Sequence, residues 1–469
     1  MDDKDRIVAD LTELNRVLTE QNLQLQARVR QLEEKIARLE RNSSNSSKPP
    51  SSDIVNPRPA TRKRGKAKRG GRPGHKKHTR QAFTADQIDK TVIHELPSAE
   101  IRRRKLTPLD ESESALVQID LPEKLYTVVD HRVRLYQRPD GGIVKAKLPA
   151  LTRREGFFTS RMVGLVGYLK GRCHMSYSTI SGLLADVLEV PVSQGFLVKC
   201  CNAKLSPALA ESHSAALEYV RNSPVVGTDE TGHKDSGRRS WTWCHHASDV
   251  VFFQISNCRG SGVLLTNLGE DFDNILTADF YSANRTFVSR SGVRVQWCWA
   301  HLIRDIKFIA ELGYKNVNKW AQRLLESAKI LLETWRKGKD KRTRHWRKKL
   351  EKLKKAFLAS VMHPPNHPEC RKIKKRFSGG DRDGYFLFLD VPGVEPTNNA
   401  TERNIRFVVI DRRITQGTNS TAGMRFYERI WTVMASCTRQ GRNMFHFLTE
   451  SLKAHYTTST PPSLLPQNL

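Results

Sequence analysis

Leu11, Leu18, Leu25, Leu32 and Leu39 recur every seventh residue, and Val8, Asn15, Asn22, Val29 and Ile36 stand three positions before each of them. A repeat of this period keeps one narrow apolar stripe on a helix and commits that stripe to another helix, so residues 1–41 are predicted to form a coiled-coil arm. Asparagine at two a positions costs stability but selects a parallel, in-register dimer, and Arg28 with Glu33 and Lys35 with Glu40 have the spacing of interchain pairs. A lone amphipathic helix docked on its own chain is the other reading, and five heptads without a cap or break are long for it.

The seam stops at "RNSSNSSKPPSSD", where Ser, Asn and Pro supply turn chemistry and no core residues. From Arg58 to Arg80 the chain is basic and almost free of apolar side chains, so 42–90 reads as a linker that is disordered when free. The whole chain carries 79 Lys+Arg against 49 Asp+Glu, a net charge of +30, which makes a polyanion the first partner to consider. Arg62, Lys63, Arg64, Arg69, Arg72, Lys76 and Lys77 are the expected DNA contacts of this linker. Its "GGRPGHKK" suits an arm lying in an AT-rich minor groove, and a nonspecific phosphate-binding tail would use the same residues.

Strand-like fragments such as "LYTVVDHRVRLYQ" and the turn "RPDGG" suggest a small β-rich module over 91–150. Over 151–222 the pattern is helical, and Ser176 to Leu205 reads as helix, turn at Glu189 to Ser193, helix, which is helix-turn-helix spacing. Beyond Pro224, "PVVGTDET", "SWTWCHH" and "VVFFQIS" are spaced as antiparallel neighbours. "NILTAD" and "VRVQWCW" are set apart by longer segments, which predicts a mixed α/β sheet over 223–314 and 377–457. Residues 315–376 read as a basic helical insertion with Trp320, Leu324, Leu325, Leu331, Leu332 and Trp335 as its apolar stripe, and 458–469 as a tail. The eight cysteines have no CxxC spacing and are expected reduced. With no apolar run near the roughly 18 residues of a membrane helix, the chain is expected to be soluble, cytoplasmic and nucleoid-associated.

Asp229 ends "PVVGTD" and Asp279 ends "NILTAD", each where a buried strand emerges, which is where open α/β sheets build sites. Glu402, in "TNNATERNIR", lies on a helix that starts near Asn398 or Asn399. Three converging carboxylates would repel one another, and two Mg²⁺ or Mn²⁺ ions would relieve this and support two-metal phosphoryl transfer. The competing readings are a capping box from Asn399 to Glu402, a turn role for Asp229 and a plain strand end for Asp279, with Glu230, Asp271 and Asp273 as rival acids. His363, His367 and Cys370 lack a fourth ligand and read as a loop.

Taken in order, "SSNSSKPPSSD", "GTDET", "LTADFYSANR", "QWCWAHLIRDI", "PTNNATERNIR" and "GTNSTAGMRFYERIWTVMASCTRQGRN" resemble the signature segments of the transposases of insertion sequence family sixty-six. The resemblance implies a DDE transposase with a ribonuclease-H-like core, in which Asp229, Asp279 and Glu402 are catalytic and bind two metal ions. It further implies that Cys298 and His301 support the site, and that Asn398, Asn399 and Arg403 position the glutamate's helix or a DNA strand. Arg406, Arg412 and Arg413 are expected to face phosphate. Family members commonly carry a zinc-ribbon-like module where 91–150 stands, but here no cysteine is present, so no zinc is expected and the module is predicted to hold by packing. The expected activity is cleavage at insertion-sequence ends and strand transfer to double-stranded target DNA by a homodimer or larger assembly, with accessory proteins of the same element as possible partners. A non-enzymatic DNA-binding regulator and a structure-specific nuclease are the alternatives.

Overall fold

The computed structural model describes residues 3–40, 83–107, 109, 116–122, 124–339 and 343–466; Arg62, Lys63, Arg64, Arg69, Arg72, Lys76 and Lys77 lie outside them. The chain divides into two units, one of Met1–Arg58 with His131–Leu469 and one of Pro59–Asp130. In the first, the heptad region is a single helix, α1 (Asp3–Leu39). Its seam faces outward in the single chain, with Leu18 51% and Leu25 67% exposed. Contact with the chain's own body runs through acids instead: Glu33 crowds Gly313, and Tyr314 Oη donates to Glu34 Oε2 at 3.4 Å.

The module expected over 91–150 forms differently. Up to Asp130 the described residues contain one helix, α2 (Ser98–Arg104), with no buried residue, and extended backbone without a ladder. The strand signal survives only at β1 (Leu135–Gln137) and β2 (Ile143–Lys145), an antiparallel hairpin closed by the expected turn, in which the Arg138 N–H donates to Gly142 O at 2.7 Å. The physical reason is that a two-stranded ribbon with no third strand and no covering layer cannot bury its apolar side chains, and Leu135 and Tyr136 remain exposed. Packing therefore does not hold this segment as a β module, and its expected span is cut by the unit boundary after Asp130.

Helices follow: α3 (Ala150–Glu155), α4 (Ser160–Gly171), α5 (Tyr177–Leu188), α6 (Gln194–Lys199), a π-helical turn at Cys200–Leu205, α7 (Ser206–Ala208) and α8 (Ala210–Arg221). Ser176 and Ser193 cap α5 and α6 by accepting from the N–H groups of Thr179 and Phe196, at 3.0 and 3.2 Å, and Glu189 ends α5 in the left-handed region. The helix, turn, helix spacing read from sequence is thus present.

Three consecutive antiparallel strands, β3 (Val225–Asp235), β4 (Arg238–Ala247) and β5 (Val250–Ser256), open the sheet. After α9 (Ser261–Leu268), β6 (Ile275–Ala278) pairs parallel to β3; after α10 (Ser282–Ser291), β7 (Val295–Trp297) pairs parallel to β6, giving the order β5-β4-β3-β6-β7. Helix α11 (Trp299–Ala310) leads into the insertion, α12 (Lys315–Gly338), α13 (Arg344–Met362) and α14 (Pro368–Phe377). Trp320, Leu324, Leu331 and Trp335 are buried in it, while His367 caps α14 and Cys370 lies in its packed core. The chain returns through α15 (Leu387–Asp390) to α16 (Asn399–Thr415), α17 (Thr421–Arg439) and α18 (Met444–Thr457). Among the described residues no helix is long and apolar enough to cross a membrane.

Edge strand β5 is closed by side chains. Glu428, Thr432 and Ser436 recur every fourth residue on α17 and accept from the N–H groups of Ile255, Phe253 and Val251 at 2.8, 3.0 and 3.0 Å. Four helical residues rise about 6 Å and two strand residues about 6.8 Å, so the two rows stay in step. They satisfy donors that an open edge would present to another chain. Thr432→Val keeps the shape and removes the acceptor, leaving the buried Phe253 N–H unpaired; we expect a loss of about 1–3 kcal/mol in urea unfolding, and an unchanged midpoint would contradict the assignment.

Candidate active site

The β3/β6 register runs from Val225 opposite Ile275 to Gly227 opposite Thr277, so Asp229 and Asp279 each lie two residues past the last pair. Asp279 follows the end of β6 as expected, whereas β3 runs on to Asp235 because β4 continues to pair with it, which leaves Asp229 within the strand opposite Cys244. Alternation along β3 puts Asp229 on the face of Gly227 and Glu230 on the other. Asp229 Oδ1 accepts from the Glu230 N–H at 2.9 Å. Asp279 Oδ1 accepts from Asn284 Nδ2 at 2.7 Å and from the Tyr281 N–H at 3.3 Å; Asn284, fully buried on α10, thereby fixes the carboxylate.

Gly227 sets how close α16 comes. A Cβ there would collide with Thr401 Oγ1 and stand 2.8 Å from Asn398 Oδ1. Asn398 binds three ways: Nδ2 donates to Thr228 O at 2.7 Å, Oδ1 accepts from Thr401 Oγ1 at 2.6 Å, and its N–H donates to Cys298 Sγ at 3.2 Å. The first turn of α16 is in this way tied to β3 and to the start of α11, and Glu402 in that turn is carried toward the strand ends. Its carboxylate does not turn back to cap the helix. It accepts instead from Arg304 Nη2, at 3.2 and 3.1 Å to its two oxygens.

Cys298 precedes α11 and His301 and Arg304 follow on it one turn apart, so all three reach the same side. His301 Nδ1 lies 3.6 Å from Glu402 Oε1, and Arg304 Nη1 donates to His301 Nε2 at 3.3 Å. The ligand atoms of Cys298, His301 and Glu402 all fall within 4.8 Å of one another, the one such group of three among the described residues. Asp229 and Asp279 stand outside that group but within its field. Burial, then the carboxylates of Glu230, Asp279 and Glu402, hold the Asp229 pKa well above its ordinary value, with His301 opposing. Burial pushes His301 down, but the Cys298 sulfur and Asp279 outweigh it and hold the imidazole up, at about 10. A surplus of negative charge therefore already draws in the Arg304 guanidinium, and its oxygen donors suit a hard divalent ion.

Of the rival acids, Glu230 is engaged elsewhere: its Oε1 accepts from Arg259 Nε and Nη2 at 2.9 and 2.7 Å, while burial and then Asp279 push its carboxyl up to about 7. Asp271 and Asp273 are exposed in the loop after α9. Asn399, Arg403, Arg406 and Arg413 are exposed on α16, whereas Arg412 turns inward to donate to Thr231 Oγ1 at 3.3 Å. Arg412, expected to face phosphate, instead ties α16 to the sheet. Arg304, Asn284 and Gly227 were not singled out from sequence. For Arg304 the signal was present as the position one helical turn after His301.

Comparison with known proteins gives two profile matches. One, described as Transposase IS66 family, covers residues 155–426 and so includes every strand of the sheet, Cys298, His301 and Glu402. The other, a family of unknown function (DUF6444), covers residues 3–81. An uncharacterized protein, y4qI, of Sinorhizobium fredii is similar at 23% identity over 421 residues, covering 82% of this chain and 75% of that protein.

Proposed function

Because the chain belongs to the IS66 transposase family, we propose that it cuts the ends of an insertion sequence and joins them to target DNA, using Asp229, Asp279 and Glu402 as ligands for two Mg²⁺ or Mn²⁺ ions. The observation that carries this reading is that Asp229 and Asp279 stand at matching positions two residues past the last β3/β6 pair, Asp229 within β3 and Asp279 just after β6, with a helix packed on β3 whose first turn bears a glutamate. Sheet order β5-β4-β3-β6-β7, with three antiparallel strands followed by two parallel ones, supports a ribonuclease-H-like core over 223–314 and 377–457, with 315–376 inserted.

When bound, such ions neutralise the phosphate and lower the pKa of a nucleophilic water or 3′-hydroxyl. The rest falls to the chain. Asp229, Asp279 and Glu402 would hold the ions against the reacting phosphate, while Asn284 and Asn398 keep Asp279 and the α16 turn from moving. In the first step a water oxygen bonds to phosphorus as the bond to the 3′-oxygen breaks, releasing a 3′-hydroxyl. In the second step the oxygen of that hydroxyl bonds to a target phosphorus as the target's own phosphorus–3′-oxygen bond breaks; the attacking hydroxyl loses its proton, the departing target 3′-oxygen gains one, and no covalent protein intermediate forms. Arg403, Arg406 and Arg413, spaced along the exposed side of α16, lead the DNA strand away from Glu402 as phosphate contacts, and α5–α6 with the basic linker bind the duplex. The test is a strand-transfer assay with pre-cut ends: joining in Mg²⁺ supports the reading, and cleavage without joining would make the protein a nuclease.

The exposed seam of α1 supports pairing between two copies. Leu18→Pro with Leu25→Pro breaks the helix, so the protein should become monomeric by light scattering and lose paired-end complexes while single-end binding survives. Unchanged pairing would remove α1 from that role.

A further inference from the structure

Glu402 has a second set of partners besides the aspartates, and these are chemically softer. Cys298 Sγ, a ring nitrogen of His301 and a Glu402 oxygen lie within 4.8 Å of one another, at the starts of two helices tied together by the Asn398 N–H to Cys298 Sγ bond at 3.2 Å. His301 is 9% exposed, and its Nδ1 is buried without a hydrogen-bond partner, facing Glu402 Oε1 at 3.6 Å. An orphaned imidazole nitrogen beside a thiol and a carboxylate has the donor set of zinc rather than of magnesium. We propose that Cys298, His301 and Glu402 bind a soft divalent cation of the zinc class, and that its binding withdraws Glu402 from the Asp229–Asp279 pair. The withdrawal rests on the reading of Glu402 as a catalytic ligand; the binding itself does not.

The chemistry is consistent at each ligand. Zinc bonds of about 2.0–2.3 Å imply ligand separations of roughly 3.5 Å, so the three side chains must close by about an ångström. The Cys298 proton leaves to solvent on coordination, and the Asn398 N–H remains to stabilise the thiolate. Three protein ligands leave a fourth position for water. Arg304 opposes the ion: it holds both oxygens of Glu402 and donates to His301 Nε2, which fixes the tautomer with its proton on Nδ1. Metal binding at Nδ1 moves that proton to Nε2, where Arg304 can no longer donate. Cation and guanidinium are therefore mutually exclusive.

Co²⁺ is the probe, titrated into full-length protein whose exposed Cys173 and Cys258 have been changed to serine. Expected are a sulfur-to-cobalt charge-transfer band saturating at one ion per chain, its loss with Cys298→Ser, its retention with Asp229→Asn, and binding tightened about tenfold by Arg304→Gln, as one charge-assisted contact is removed. No band, or a band that survives Cys298→Ser, overturns the proposal, and weaker binding by Arg304→Gln overturns the competition even if a serine variant fails to fold. Zinc should also suppress Mg²⁺-dependent cleavage. A cobalt band without such suppression would leave the cation site standing and remove Glu402 from catalysis.

Discussion

Asp229→Asn should reduce metal-dependent cleavage by more than about a hundredfold, beyond the 10–100-fold typical of a residue that only supports a ligand, while binding of end DNA is unchanged. The amide keeps the shape and keeps an oxygen for the Glu230 N–H, so the strand is not disturbed. What it removes is charge. Because burial and three neighbouring carboxylates already raise the Asp229 pKa, the neutral side chain should leave the melting temperature of the metal-free protein unchanged or higher. Activity lost with stability kept separates a metal ligand from a structural residue. Cleavage within tenfold of the parent would remove Asp229 from the site.

Gly227→Ala should have the second large effect, by displacement rather than by chemistry. Its methyl group would occupy the space of Thr401 Oγ1 and press on Asn398 Oδ1, and strand backbone on both sides leaves β3 no freedom to retreat. The start of α16 must yield. Overpacking of this kind costs about 1–3 kcal/mol, and a shift of about 1 Å at a catalytic group can lower the rate about a hundredfold. Denaturant unfolding and cleavage assays on the same preparation check both, and full activity would mean that the approach of α16 does not position Glu402.

These residues also show what was readable in the sequence. A heptad or a run of β-branched residues ending in aspartate is local, and these predicted the helix α1 and the end of β6, whereas β3 runs past Asp229 to Asp235 because its pairing with β4 lies far along the chain from that signal. Partners far apart in the chain carry no such local mark. Arg304 meets Glu402 across 98 residues, and the α17 side chains meet the β5 backbone across 173 to 185. The capping box illustrates the limit in the other direction, since Asn399 and Glu402 have its spacing, yet the glutamate is drawn to a guanidinium that no local pattern announces. In the segment around 91–150, strand propensity was real at Leu135–Gln137 and Ile143–Lys145. Propensity alone supplies no third strand, and among the described residues of the segment there are no further strands.

The most direct test of the central claim is diffraction at the manganese edge from crystals grown with Mn²⁺ and a pre-cleaved end. Two anomalous peaks about 3.5–4 Å apart, with Asp229 shared between them, Asp279 and Glu402 on either side and Arg304 moved off the glutamate, are the predicted result. An intact Arg304–Glu402 pair with no ion at Asp229 under saturating Mn²⁺ would contradict it.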